Sequence, residues 1–417
     1  MDLTTSSITR FAITPVGSSA CRRHLALGAS VLAITLGAAG MSHGASLTEM
    51  DYFTETTGNA AMEKILAACT AETGIKVERQ AVPYPQLVEK VLLAATSNSL
   101  PDLIMMDNSD VAQLAEGGMI VPLADVGVST EGFTPSLVAI GNYKGKNYSL
   151  QTAVNTLALW YNVDILRAAG VEPPKTWDEL RATAKKLTKG QVYGFVFPAV
   201  ATEEGTFHAS PFVWSNGGDF TKLNSPQAVE AVTFLADLVN DGSVSKSVVT
   251  WAGDDANEQF VAGRAAMSIG GSWHIPENSK VANLHYAIVP LPVPHAGDQI
   301  KVPVGGEVWS VSASADKVTA KRMLDCLGSD KMVLQWAEDR NYVPGKPAVL
   351  DQYKKDNPGM APFVSSTAGA VSRTSVLGTK YPKYSAAFSA AEQAVIIGSK
   401  TAQAALDEAQ QTAAAGQ

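Results

Sequence analysis

The sequence predicts an α/β protein of open sheets flanked by helices, with more than one domain. Its 417 residues exceed the ~100–200 residues of a single domain. About 46% are apolar and 17% charged, a composition that supports a packed core. From about residue 59 the apolar periodicity alternates between helix-like and strand-like, which is the rhythm of a sheet with crossover helices.

Met62, Ile65, Leu66 and Cys69 fall at helical spacing, Gly74 stops the helix, and Ile75 and Val77 alternate with polar residues as in a strand. Leu87, Val88, Val91, Leu92 and Ala95 form the next helical stripe. The run Leu103-Ile104-Met105-Met106 is apolar on both faces and suits a central parallel strand. Asp107-Asn108-Ser109-Asp110 then supplies cap chemistry for a helix that stops at Gly117-Gly118.

A middle block repeats the pattern and is large enough to be a domain. Leu157 to Tyr161 reads as a strand, Asp164 to Ala169 as a short helix closed by Gly170, and Thr176-Trp177-Asp178-Glu179 as a capping box. Ser225-Pro226 opens a helix ending at Gly242, and Ala265 to Ile269 is a strand leading into Gly270-Gly271. After a Pro-rich passage, Val308 to Val311 is strand-like, Val318 to Trp336 helical, and Ser385 to Ala415 an Ala-rich helical tail.

The first 45 residues read as a signal peptide. Arg10, Arg22 and Arg23 precede an uncharged stretch from Leu25 to Met41, and small residues follow where a peptidase could cut. The stretch is short of the ~20 strongly apolar residues that a membrane span needs. Arg22-Arg23 leaves the export route open between two pathways. Losing Asp2 and the three arginines takes the net charge from −8 to −10, which argues against nucleic acid as a partner. Cys69 and Cys326 then remain, each on an apolar helical face, and two buried free thiols are expected.

Local catalytic signatures are missing. The sequence has no G-x-S-x-G, no H-E-x-x-H, no phosphate loop ending in Lys-Ser/Thr and no Cys pair at metal spacing. Accordingly no catalytic residue, metal or cofactor is assigned. Instead, aromatic residues stand beside Gly, Asn, Asp and Glu at the expected ends of strands. An aromatic face covers the C–H face of a pyranose while carboxylates and amides take its hydroxyls. The candidates are Phe53 and Glu55 in Tyr52-Phe53-Thr54-Glu55, Asp107 with Asn108, Asn155, and Phe207-His208 with Trp214. Gly271 and Trp273, Gly306, Glu307 and Trp309, and Arg373 complete the set. Core packing competes with ligand contact for Trp214, Trp309 and Phe207, and helix capping competes for Asp107 and Asn108.

At these residues the chain resembles the extracellular solute-binding proteins of ABC importers, in the carbohydrate-binding branch that includes maltose-binding protein. The matching segments, in order, include Thr73-Gly74-Ile75-Lys76-Val77, Pro101-Asp102-Leu103, Gly117-Gly118-Met119-Ile120, Trp160-Tyr161-Asn162, Pro174-Lys175-Thr176-Trp177-Asp178-Glu179-Leu180 and Phe260-Val261-Ala262-Gly263-Arg264-Ala265-Ala266-Met267. The resemblance implies a two-lobe periplasmic-binding-protein fold, each lobe an open mixed sheet flanked by helices, joined by a hinge of two or three crossing segments. It places lobe 1 at 46–153 plus 303–349 and lobe 2 at 154–302 plus 350–417. It further implies a monomer that captures a mono- or oligosaccharide in the cleft and delivers it to membrane permease subunits. Asp107 falls where the family often holds sugar hydroxyls, Trp273 on a stacking aromatic, and a tail aromatic would match Phe388 or Tyr384. Alternatives in other classes are a polyamine or glycerophosphodiester in the same fold, and an exported hydrolase.

Overall fold

The computed structural model describes residues 45–415, so the leader, Cys21 included, lies outside the described residues. The main strands are β1 (Ser46–Asp51), β2 (Lys76–Ala81), β3 (Leu103–Asp107), β4 (Leu157–Asn162), β5 (Met267–Gly271), β6 (Tyr286–Val289) and β7 (Glu307–Val311). The helices that matter here are α1 (Thr56–Thr73), α2 (Trp177–Leu187), α3 (Glu203–Ser215), α4 (Pro226–Asn240), α5 (Gly253–Val261), α6 (Lys317–Leu327), α7 (Asp330–Arg340), α8 (Tyr381–Ile396) and α9 (Ala402–Ala414).

One sheet has the order β7-β3-β1-β2. β1 runs parallel to β2 and β3, and β7 is antiparallel to β3 with Glu307 opposite Asp107. All five residues of β3 are buried, as a run apolar on both faces requires. A second sheet, β5-β4-β6, is antiparallel, and isolated parallel bridges join Val196 to Ser268 and Tyr193 to Ala265 at its flank.

Helices cover both sheets, and β4 feeds two apolar clusters, Leu157 and Leu159 entering one and Ala158 and Trp160 the other. α1, α6 and α7 cover the first through Met62, Ile65, Leu324 and Trp336. α2, α3, α4, α8 and α9 build the core beside the second through Leu180, Phe212, Leu235, Phe388 and Leu406. Local chemistry sets the helix starts. Thr176 accepts from the Glu179 N–H at 3.3 Å, Ser225 from Ala228 and Ser329 from Met332. Two helical stretches are divided. Gly328-Ser329 separates α6 from α7, and Gly398 in the left-handed region separates α8 from α9.

The cysteines pair, in place of the expected free thiols: Cys69 on α1 and Cys326 on α6 form a disulfide with Cα atoms 5.8 Å apart. Their apolar faces do pack inward, but they pack on each other. That brings the two sulfurs within bonding reach across 257 positions of sequence.

Four backbone segments run side by side between the two sheets. Ala153–Val154 pairs with Val343–Pro344, Asn155 bridges to Gly305, and Pro303 bridges to Val371. Among the described residues no helix is long and apolar enough to cross a membrane.

Candidate ligand-binding site

A cavity of about 400 Å³ opens where the carboxyl ends of β1, β3 and β5 face one another, within the usual size of small-molecule sites. Asp107 ends β3. Its Oδ1 accepts from the Ser109 N–H at 2.8 Å, while the following helix has no side-chain cap, so Asp107 is free of the capping role and faces the cavity. Glu307, opposite it at the start of β7, also lines the wall.

β1 leads into Tyr52-Phe53-Thr54-Glu55, held by Arg79. That guanidinium donates to both Asp51 oxygens, at 2.5 and 2.9 Å, and to the Phe53 carbonyl at 2.9 Å. The last residue of α7, Arg340, then stacks 4.7 Å from the Phe53 ring centre and donates to Glu55 at 3.0 Å. Tyr52 and Tyr342 both donate to Glu307 Oε1, at 2.7 and 3.2 Å, and its buried Oε2 has no partner. Burial pushes the Glu307 carboxyl up to about 7, despite the nearby Arg340 charge.

Across the cavity, Arg373 donates to Asp107 at 2.5 Å, to Asn108 at 2.9 Å and to Glu203 at 2.7 Å, and lies 5.0 Å from the Phe207 ring centre. Phe207 and His208 come from α3, whose opening turns face the cavity, and not from a strand end. Trp273 follows β5 in a short 3₁₀ turn, 6.3 Å from Phe207. A Cβ on Gly271 would stand 1.8 Å from the Trp273 ring, so glycine there is what allows the indole to fold back over the strand end. Gly306 takes φ +105°, a conformation that glycine tolerates, where the chain turns beside Ala153.

Of the residues singled out in sequence, Phe53, Glu55, Asp107, Asn155, Phe207, His208, Trp273, Gly306, Glu307 and Arg373 line the cavity. Asn108 sits behind Asp107, its amide toward Gln151 and the Val304 carbonyl. Gly271 underlies Trp273. Trp214 is not on the cavity: it packs edge-on to Phe220, 5.5 Å away, in the core of the second sheet. Trp309 is likewise buried, on the core side of β7. The tail aromatics Tyr384 and Phe388 also belong to that second core.

Sequence reasoning missed several lining residues: Tyr84, Glu204, Asp254, His274, Glu277, Arg340 and Tyr342. Tyr84 between two prolines reads as a turn, and Arg340-Asn341 reads as a helix end, which it also is. Glu204, Asp254 and Glu277 carry the ordinary signature of helix first turns.

Known proteins similar to this chain include binding proteins. A maltodextrin-binding protein of Bacillus subtilis is 25% identical over 77% of this chain and 80% of its own length. An ABC transporter solute-binding protein of Thermotoga lettingae, solved with α-D-tagatose, superposes with a TM-score of 0.80 at 24% identity, over 88% of this chain and 98% of that one. A Mycobacterium tuberculosis protein solved with glycerophosphocholine has a TM-score of 0.77 at 17% identity, over 88% and 97%. The fold is therefore the two-lobe architecture of solute-binding proteins, with mixed sheets flanked by helices. The family model of bacterial extracellular solute-binding proteins matches residues 64–362, and the chain belongs to that family.

Proposed function

We propose that the protein is the exported substrate-binding component of an ABC importer, capturing a carbohydrate between its lobes and delivering it to membrane permease subunits. One observation carries this: the cavity alternates rings and hydroxyl-binding groups. Phe53, Phe207, Trp273 and three tyrosines stand among Asp107, Glu307, Glu55 and Asn155, the pattern that pairs the C–H faces and hydroxyls of a pyranose. The maltodextrin-binding relative supports the same ligand class. A glycerophosphodiester, as bound by one structural neighbour, fits less well. Both lining guanidiniums are already committed to carboxylates, Arg340 to Glu55 and Arg373 to Asp107 and Glu203.

The lobes of this reading are 46–153 plus 303–349 and 154–302 plus 350–417, supported by the two sheets and by the paired segments near Asn155, Gly305 and Val371. Closure about those segments would bring Trp273 and Asp107 onto one ligand. The leader at 1–45 would direct the chain to the periplasm and be removed there. The protein would act as a monomer and as a carrier, with no chemical step.

The test is thermal unfolding of the mature chain against mono- and oligosaccharides, polyols, polyamines and glycerophosphodiesters, since a ligand of the folded state raises the midpoint. A rise with a carbohydrate is expected. A rise only with polyamines or phosphodiesters overturns the assignment, as does turnover of a glycoside that Asp107→Ala abolishes.

A further inference from the structure

The two halves of the cavity differ in charge. Around Arg373, the carboxylates Asp107 and Glu203 are neutralised by direct bonds. The half beside Trp273 is different. Glu204 opens α3, Asp254 opens α5, and Glu277 lies in the short helix Ile275–Asn278 just after Trp273. With Glu55 they place four carboxyl groups on this wall, against the single guanidinium of Arg340, which bonds to Glu55. Burial pushes Glu204 up to about 7, so a bound cation would draw it into its charged form.

Several groups there accept hydrogen bonds. His208 is buried, and its Nδ1 lies 2.8 Å from the Glu204 carbonyl oxygen, which can only accept. The proton therefore sits on Nδ1, and Nε2 presents a bare lone pair. That Nε2 has no partner although His208 lines the cavity. Burial holds the ring down to about 4, so it is uncharged at neutral pH. Glu204 already spends one oxygen on the Gly253 N–H, at 2.8 Å, and Glu277 takes the Thr57 hydroxyl at 3.0 Å. His274 is buried and neutral too, 3.8 Å from Asp254, too far to hydrogen-bond it. A neutral sugar hydroxyl offers one donor and brings acceptors of its own. A group with three donors, no acceptor and a positive charge suits the carboxyl groups and the bare His208 nitrogen, and the Trp273 face adds attraction for a cation.

We propose that Glu204, Asp254, Glu277 and His208 Nε2 form an ammonium subsite, and that the ligand is a carbohydrate carrying a protonated amine, an aminodeoxy sugar or an oligosaccharide containing one. The proposal rests on the carbohydrate reading above and narrows it.

Calorimetry on the mature chain at about pH 7 tests it, with glucosamine and its β-1,4-linked dimer and trimer as probes. Their N-acetylated forms, and glucose with cellobiose and cellotriose, are the neutral counterparts. The expected result is at least tenfold tighter binding of an amino form than of both its counterparts. Glu204→Gln combined with Glu277→Gln is expected to shrink that ratio below threefold. An amino form within threefold of its counterparts, or no binding by any amino form, overturns the subsite. Should neutral sugars bind in that case, the carbohydrate reading stands without it. Binding of spermidine and of no sugar overturns both.

Discussion

Arg373 Nη2 stands 2.5 Å from Asp107 Oδ1, joining the loop after Val371 to the carboxyl end of β3. The same guanidinium holds Glu203 at the start of α3, 2.7 Å away, with only 1% of its side chain exposed. One side chain thus ties together three segments that are far apart in sequence, and it does so at the wall of the cavity. Burial raises the Glu203 carboxyl, and the Arg373 charge is the chief force acting against that rise.

Removing this guanidinium leaves two mostly buried carboxylates without their shared partner. Arg373→Ala is expected to destabilise the ligand-free protein by about 3–5 kcal/mol, the usual cost of stranding half of a buried ion pair. Urea unfolding measures it. An unchanged midpoint would mean that solvent already screens the pair.

The disulfide gives a second prediction. Cys69 and Cys326 close a loop of 257 residues, so their bond restricts the unfolded chain strongly. Cys69→Ser with Cys326→Ser, or a reductant, should cost about 2–5 kcal/mol of stability. Full stability of the double variant would show that the helix packing of α1 on α6 alone sets the geometry.

A third prediction concerns pH. Burial pushes Glu392 up to about 8 and Glu204 and Glu307 up to about 7, against about 4.3 for an unfolded glutamate. The folded chain therefore binds more protons than the unfolded chain over that interval, and stability falls as pH rises through it. His208 and His274, held down to about 4, act in the opposite sense, but only below about 6.5, where unfolded histidine gains its proton. Between about pH 6.5 and 8 the carboxylates set the slope. The melting midpoint should be higher at the lower pH, and Glu392→Gln should flatten the difference. A midpoint that climbs with pH contradicts this.

Much of the fold was legible in sequence because its signals are local. The all-apolar run at β3, the Thr176–Glu179 cap and the Gly271 turn before Trp273 each declare themselves within a few residues. Part of the cavity lining was legible for the same reason: Asp107, Trp273 and Gly306 stand beside strand ends that declare themselves locally. What escaped was decided by tertiary contact. Trp214 and Trp309 carry the same local appearance as Trp273, and only the packing of Phe220 and of the first core distinguishes them. Arg340 and Glu204 look like helix-terminal residues and are, yet they also face the cavity. The Cys69–Cys326 pairing depends on two helices meeting from opposite ends of the chain, which no periodicity records.

The most direct test of the central claim is calorimetric titration of the bound carbohydrate into wild-type protein and into Trp273→Ala. If the cavity holds the sugar against this indole, the variant keeps its fold, by circular dichroism and unfolding midpoint, and loses at least tenfold in affinity, about 1.4 kcal/mol. Equal affinities in a well-folded variant would contradict the account, because the ligand would then lie away from the Trp273 face.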